Sequence, residues 1–592
     1  MTVLVDLYQG DKLRVDNMPS GVWLLSQEQR VGYHLINIRD FNNFKNQLDK
    51  LNITDRSLSS AAYNAITVLN DEISEVSRIV HDHDPLDIPP TIKTAPYDDQ
   101  WPGIHLFLYR QFVTNWDTMG SGKTFMALFA FAKLQELGLA HRMLVICPNH
   151  VKKVWEEQIK EHTHFRSLKI GNGTDKVLWD LKTRFNHQDI LITHYDMYAN
   201  EDIRKYIKQL RIDLVVLDEA HMIKNLYGGK TKKTKKDKSQ RTRGVLEILQ
   251  ELQRYTPMQA VNNYKITDPA KPIIWTLTGT PVSENPSNSY VLLTIVEPYF
   301  KISKWTFDNF FNVFIKIPVH IKGTPKTIEI RKSIKFRNLD QLTYFNRFAI
   351  RRSRSELTGM PEKIQSDRLV ELYPEQRTAY NNIKEKTIKE LLVEGKNGML
   401  NKIQVRNILM RLRQIANHPH ILKLGSRSVK HDIIESLITE LLTDHQKVIV
   451  WGVFREGLEL LHDQLEKADI KNSILYGGMT NESMDKIQHE FESDNLDVIL
   501  ASIGKMGTGT DYFKRARTAI YLDLPLSFVE YSQSQDRIIR RGVESPGVLI
   551  RVMAEGSVDQ AIDYMLQNKQ ELSEAVIEEH EEVNINEIIH RL

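Results

Sequence analysis

Lys123 and Thr124 stand directly behind Gly120, Ser121 and Gly122 in the run NWDTMGSGKT, Asn115 to Thr124. A glycine turn that opens a helix can wrap phosphate oxygens with backbone N–H groups, and the helix adds the positive end of its dipole. In such a loop Lys123 reaches the β- and γ-phosphates of a nucleotide and Thr124 holds Mg²⁺. The general nucleotide signature, however, has a glycine where this chain has Asp117. About 95 residues further on, VVLDEAH places Asp218 and Glu219 at the end of an apolar run. Two carboxylates leaving a buried strand are costly unless a cation meets them. Mg²⁺ bound to ATP is the natural partner, with Asp218 on the metal and Glu219 polarising the attacking water. Near the other end of the chain Gln533, Arg537 and Arg540 recur at spacings of four and three, which predicts one helical face.

The elements that must position these groups are legible as apolar runs. MLVICP (143–148), DILITH (189–194), DLVVLDEA (213–220) and IIWTLTGTP (273–281) are short and continuous, as buried parallel strands are. The same texture returns in KVIVWG (447–452), NSILYGG (472–478), DVILAS (497–502), TAIYLDLP (518–525) and GVLIRVMA (547–554). Alternation with helical segments predicts two doubly wound α/β domains, whose ligands bind at the carboxyl ends of the strands. The first 35 residues read as short strands, with TVLVDLYQG, KLRV, GVWLLS and VGYHLINI separated by turns. Helical spacing follows over 41–51 and roughly 57–80. Pro85, Pro89, Pro90 and Pro96 then mark a boundary. HDHD at 81–84 reads as a solvated helix end, because no further ligand set lies nearby.

Composition sets outer bounds. The chain has 592 residues, 79 Lys and Arg against 76 Asp and Glu, and a net charge of +3. Its single cysteine, Cys147, excludes an internal disulfide framework and a cysteine-based zinc site, and suits a reducing cytoplasm. No apolar run approaches the ~20 residues of a membrane helix, and MTVLVDLYQG lacks the basic start of a signal peptide. Cations gather in GGKTKKTKKDKSQRTR (228–243), read as a solvated loop, and in KIPVHIKGTPKTIEIRKSIKFR (316–337), read as a hairpin. Both suit contact with nucleic-acid phosphates.

DTMGSGKT, DEAH and LTGTP, in this order, resemble motifs I, II and III of superfamily-two helicases, and in particular of the Swi/Snf-related DNA translocases. That family carries Asp at the position of Asp117, which accounts for the departure from the general loop. Thr118 stands where the family usually has Glu. PYDDQWPGI resembles the adenine-reading glutamine motif, with Gln100 as reader. VICPNHVKKVWEEQI and ITHYDM resemble motifs Ia and Ib. FAIRRSRSEL, LYPEQRTAY and RLRQIANHP match segments between the lobes. VIVWGVFREGLELL, ASIGKMGTGTDYFKRARTAIYLDLP and QSQDRIIRRG resemble motifs IV, V and VI. Asp511 sits where motif V often has Asn, and Val543 follows Gly542 where Gln is usual. The resemblance spans about residues 95–565.

This resemblance implies two RecA-like doubly wound parallel-sheet lobes, a helical insertion between them and a small α+β N-terminal domain. The boundaries it suggests are 1–88 for an accessory, substrate-selecting domain, 89–96 for a proline-rich linker and 97–300 for the ATP-binding lobe. An insertion over 301–425, a second lobe over 426–570 and a helical tail over 571–592 follow. Gln100, Gly120, Ser121, Gly122, Lys123, Thr124, Gly509 and Asp511 would bind nucleotide. Thr124 and Asp218 would hold Mg²⁺. Lys123, Asp218, Glu219, Gln533, Arg537 and Arg540 would be catalytic, the two arginines acting on the γ-phosphate held by the first lobe. The implied activity is an ATP-dependent DNA translocase or helicase, a monomeric motor on duplex or branched DNA in replication or recombination, in a bacterial or phage-infected cytoplasm. Two alternatives stay open: a nucleotide-controlled loader or initiator, and the motor of a restriction or defence complex. The N-terminal segment resembles the small modules before annealing helicases, with Trp23 and Tyr33 available to stack on bases; a protein-interaction domain is its alternative reading.

Overall fold

The computed structural model describes residues 3–7, 12–16, 26–30, 33–37, 56–58, 74 and 78–79. It then describes 84–575 except 119, 172, 224–234, 255–268, 280–286, 288, 297–302, 321–326, 337–348, 353–355, 358, 396–401, 504–512, 514 and 540–544. The chain divides into two compact units at Thr358/Gly359.

The first unit begins with a five-stranded sheet of order β3-β4-β2-β1-β5. Its strands are β1 (Val3–Leu7), β2 (Lys12–Asp16), β3 (Ser26–Arg30), β4 (Tyr33–Asn37) and β5 (Arg56–Leu58). The third strand lies over Ser26–Arg30 rather than over GVWLLS, and β5 occupies the start of the helix expected from residue 57. Trp23 and the helix expected at 41–51 lie outside the described residues.

The nucleotide motifs lie on a seven-stranded, all-parallel sheet of order β14-β6-β11-β10-β7-β9-β8. Its strands are β6 (Phe112–Asn115), β7 (Met143–Cys147), β8 (Ser167–Lys169), β9 (Ile190–His194), β10 (Leu214–Asp218), β11 (Ile273–Leu277) and β14 (Ala349–Ile350). Each apolar run becomes a strand because helices cover both faces. Along β10, Leu214 and Val216 join one hydrophobic cluster while Val215 and Leu217 join the other. Each such side chain contributes about 1.5–3 kcal/mol on burial. The first cluster takes in α1 (Trp101–Tyr109), α2 (Lys123–Glu136) and α3 (Lys152–His162). The second takes in α4 (Lys235–Glu251).

The expected basic hairpin is present as β12 (Asn312–His320) and β13 (Thr327–Phe336), paired antiparallel. The other basic run is not a loop throughout, since α4 begins inside it at Lys235. Within that run Arg241 is buried, donating to Asp196 Oδ1 at 3.0 Å and to the Met222 carbonyl at 3.0 Å. It braces the fold rather than facing solvent.

The second unit holds a six-stranded parallel sheet of order β15-β20-β19-β16-β18-β17. Its strands are β15 (Lys363–Val370), β16 (Val448–Gly452), β17 (Asn472–Leu475), β18 (Val498–Ser502), β19 (Thr518–Tyr521) and β20 (Gly547–Ala554). The stretch 301–425, expected as one insertion, is therefore divided: its hairpin belongs to the first unit, and β15 completes the second sheet. Helices α5 (Lys402–Asn417), α6 (Val429–Thr443) and α7 (Phe528–Gln535) also belong to this unit.

The proline-rich stretch is docked on the first unit. Lys93 N–H donates to the His162 carbonyl and His164 N–H to the Thr91 carbonyl, both at 2.8 Å. Ile79 and Ile92 are each 7% exposed within the core, and Leu86 packs on it. A chain beginning at Pro89 would lose Ile79 and Leu86, at about 1.5–3 kcal/mol for the isoleucine. Its melting temperature should fall by several degrees, on the order of 2–4 °C per kcal/mol. An unchanged melting point in calorimetry would show that this packing contributes nothing.

His431, on α6, is wholly buried and neither ring nitrogen finds a hydrogen-bond partner among the described residues. Its ring lies 4.7 Å from that of His418. Burial, then the neighbouring His418 and Lys430, holds it neutral well below the usual histidine range, and burial takes His418 down to about 4. The unfolded chain protonates near pH ~6.5, so this stability is complete above that pH and is lost as pH falls toward 4. His431→Phe should flatten the acid limb of urea-unfolding stability between pH 7 and 5 by up to about 1.4 kcal/mol per pH unit. Parallel slopes for both proteins would contradict it.

Candidate nucleotide site

The phosphate-type loop leaves β6 and enters α2 at Gly122, whose φ of 86° is left-handed, as is Gly120 at 82°. Gly122 is required for a second reason: a Cβ there would lie 2.1 Å from Gln100 Nε2. Gln100 is buried and spans two loops. Its Oε1 accepts from Tyr97 N–H at 3.0 Å, and its Nε2 donates to the Ser121 carbonyl at 3.2 Å. The first hydrogen bond of α2 runs from Met126 N–H to the Gly122 carbonyl. The N–H groups of the first turn thus face the loop without helical acceptors. Lys123 Nζ folds back over the loop, donating to the carbonyls of Asp117 at 2.8 Å and Thr118 at 3.0 Å. Thr124 follows in the first turn of α2, half-buried. The buried Ser121 hydroxyl has no hydrogen-bond partner among the described residues.

Asp117 is wholly buried and bound by Arg352, which follows the adjacent edge strand β14. Arg352 N–H and Nε donate to Oδ1 at 2.9 and 3.1 Å, and Nη2 donates to Oδ2. Trp116 N–H also pairs with the Ile350 carbonyl at 2.8 Å. Sequence reading explained Asp117 only by resemblance, and the 235-residue separation of the pair left no local signal.

Asp218 ends β10 and Glu219 follows with φ 49°. A left-handed non-glycine backbone costs on the order of 1 kcal/mol. Asp218 Oδ2 accepts from Trp155 Nε1 at 2.8 Å, Oδ1 from Glu219 N–H at 2.9 Å, and its carbonyl from Tyr195 Oη at 2.7 Å. Burial pushes the Asp218 carboxyl up to about 6 and the Glu219 charge adds to that rise, while the Trp155 donor and Lys123 pull it back. Lys123 therefore shares the electrostatic field of the acid pair. Glu219 Oε2 lies 3.3 Å from His221 Nδ1, which sits 3.1 Å from Thr278 Oγ1 at the end of β11. Sequence reading did not single out Trp155, Tyr195 or His221. The one available signal was a tryptophan on the apolar stripe of a largely charged helix soon after β7.

The second unit's candidates are only partly described. Gln533 is buried on α7, whose N-cap Ser527 accepts from Glu530 N–H. The helix ends at Gln535, so Arg537 stands in the turn beyond it and not on a helical face shared with Gln533. Arg540, Gly509 and Asp511 lie outside the described residues. The strand leading to α7 is held by buried polar groups. Arg413 Nη2 donates to the Leu524 carbonyl at 2.6 Å, Asn417 Nδ2 to Asp523 Oδ2 at 2.6 Å, and Lys430 Nζ to the Leu522 carbonyl at 2.9 Å. Lys430 also pairs with Asp559 at 2.6 Å. Burial raises the Asp523 carboxyl, and Lys430 and Arg413 oppose that rise.

The donor set fits a magnesium nucleotide. A left-handed glycine cradle, a helix N-terminus, an ammonium folded over the loop and a buried carboxylate converge on the carboxyl edge of one parallel sheet. No group of three or more metal-ligating side chains occurs among the described residues, so a cation here would draw its remaining ligands from the phosphates.

Comparison with known proteins agrees with the motifs. The SNF2-related domain matches residues 116–246 and 230–421, and the helicase conserved C-terminal domain matches 430–542. The chain is 22% identical over 481 residues to the chromodomain-helicase-DNA-binding protein 1-like of Danio rerio, covering 78% of this chain and 42% of that protein. It is 21% identical over 476 residues to the putative ATP-dependent helicase/translocase YwqA of Bacillus subtilis, covering 78% and 46%. The chain thus spans under half the length of these relatives. A solved Sulfolobus solfataricus SWI2/SNF2 ATPase core in complex with dsDNA aligns at 21% identity, with a TM-score of 0.36, over 84% of this chain and 95% of that one. With the SNF2-related match running over more than half of its length, and the helicase C-terminal domain following in order, the chain belongs to the SNF2-related helicase family.

Proposed function

We propose that this protein hydrolyses ATP to move on, or remodel, duplex or branched DNA, and that it serves replication or recombination in a bacterial or phage-infected cytoplasm. The observation that carries the reading is the placement of Lys123, Asp218 and Glu219 at the carboxyl ends of β6 and β10, two strands separated only by β11 in one parallel sheet. Bound Mg²⁺ would supply charge neutralisation at the β- and γ-phosphates. Thr124 and Asp218 would hold it. Lys123 would move from the loop carbonyls to the phosphates, an exchange of neutral for charged acceptors. Glu219, held off the strand by its left-handed backbone, would orient the attacking water. Gln100 would read the adenine edge. Arg537 and Arg540 would stabilise charge that develops in the transition state. Supporting DNA as the track are the family's motifs, the basic hairpin at 312–336 and the dsDNA named for the Sulfolobus core. No helix among the described residues is long and apolar enough to cross a membrane.

Lys123→Ala and Glu219→Gln should both abolish turnover, by different routes. The alanine should weaken nucleotide binding. The glutamine should bind ATP normally and keep the protein on DNA without hydrolysis. ATPase assays with single-stranded, duplex and forked DNA, beside filter binding, check both; normal turnover by Glu219→Gln would remove its assigned role.

Trp155→Phe removes one donor from a buried carboxylate, a loss of about 1–3 kcal/mol. It should lower the melting temperature and reduce the DNA-stimulated rate several-fold, while leaving DNA affinity unchanged. If the purified variant matches the native protein in both stability and rate, the tryptophan does not orient Asp218.

A further inference from the structure

Arg352 joins three parts of the first unit. Its guanidinium grips Asp117 of the phosphate-type loop through Nε and Nη2, and Nη1 donates to the carbonyl of Asp99. Its own carbonyl accepts from Thr118 N–H at 3.3 Å, and the strand before it pairs with β6. Asp99 immediately precedes Gln100 in the short turn Asp98–Gln100. One planar fork thus ties the turn that carries Gln100 to the loop that carries Lys123. Arg352 is 7% exposed and Asp117 0%, so water cannot substitute for either partner.

The consequence lies in the Gln100 amide. It already spends one acceptor site on Tyr97 N–H and one N–H on the Ser121 carbonyl. A primary amide has two of each, which leaves one acceptor site and one N–H. That remaining pair complements a purine bearing a 6-amino donor beside the N7 acceptor, and opposes one bearing a 6-oxo group. Discrimination of this kind requires the amide to be fixed against rotation and against displacement relative to the phosphates. The contact at Gly122 and the Ser121 carbonyl provides one side of that fixation. The other side is Arg352, which bonds both to the Gln100 turn and to Asp117.

The geometry points to Arg352 as the positioning residue that sets adenine selectivity, by holding the base-reading turn and the phosphate loop in one fixed relation. This rests on the nucleotide reading given above. Arg352 does not touch the nucleotide in this account; it acts through Gln100. Lysine cannot replace it, since an ammonium has no planar fork to reach both oxygens of Asp117 and the Asp99 carbonyl together.

The test is equilibrium binding of ATP and of GTP to the full chain by titration calorimetry, with thermal melting and steady-state ATPase beside it. Arg352→Lys keeps the charge and loses the fork. The double variant Asp117→Asn with Arg352→Gln removes both charges, so that neither is buried alone if the lysine variant fails to fold. The native protein should prefer ATP at least tenfold. Each folded variant should lose at least fivefold in the ATP to GTP affinity ratio, with KM for ATP raised more than kcat is lowered. Gln100→Ala should lose the same selectivity, and adding Arg352→Lys to it should remove little more. A selectivity within twofold of native in a folded variant overturns the role of Arg352. If the native protein binds neither nucleotide, while its melting curve shows it folded, the nucleotide reading itself fails and this inference with it. If native binds ATP and Lys123→Ala does not, the reading stands and the Arg352 variants decide the inference alone.

Discussion

A carboxylate at the end of a buried parallel strand has lost its water and must be met by fixed donors, because desolvating an unpaired charge costs several kcal/mol. The first unit meets this demand twice on one edge of its sheet, and the two solutions differ. Asp117 receives a full guanidinium fork from Arg352. Among the described residues Asp218 receives neutral donors, the Trp155 indole and the Glu219 N–H, and burial followed by the Glu219 charge pushes its carboxyl up to about 6. The ion-paired aspartate ties the loop to the strand beside it, while Asp218 is hydrogen-bonded at both oxygens by neutral donors.

The all-parallel topology makes that edge a shared platform. β6, β10 and β11 are neighbours in the order β6-β11-β10, and all three run in one direction. The phosphate-type loop, the acid pair and Thr278 consequently emerge side by side. Thr278 N–H reaches the Asn115 carbonyl at 3.1 Å, and its hydroxyl approaches His221. The three motifs are thus linked by hydrogen bonds before any ligand is considered. Rigid strands beneath them, covered on both faces, leave little freedom for the loops to drift.

The second unit applies the same physics to a different end. Leu522, Asp523 and Leu524 carry the chain from β19 toward α7, and each is bound by a buried polar side chain from α5 or α6. Gly457 has no Cβ because one would meet Asn417 Oδ1 at 2.3 Å. The network is satisfied at Asn417 Nδ2, while Asn417 Oδ1 has no hydrogen-bond partner among the described residues.

Much of this was legible in the residues. Nine apolar runs became strands of the two parallel sheets, since a strand buried on both faces needs no alternation with polar residues. The glycine turn and the acid pair were legible because their chemistry is local: Gly122 needs a left-handed backbone, and Asp218 ends its strand. Local chemistry was misleading where partners decided the outcome. The helical spacing of Gln533 and Arg537 did not foresee that α7 stops at Gln535. The basic run after motif II concealed Arg241, whose cation is used up inside the fold. The bond from Arg352 to Asp117 spans 235 residues, and the contacts of Trp155 and Tyr195 with Asp218 span 63 and 23. Residue type and spacing therefore determined which groups could do the chemistry. Only the packed sheet decided which donors meet which carboxylate, because that choice depends on strand order across the sheet and not on distance along the chain.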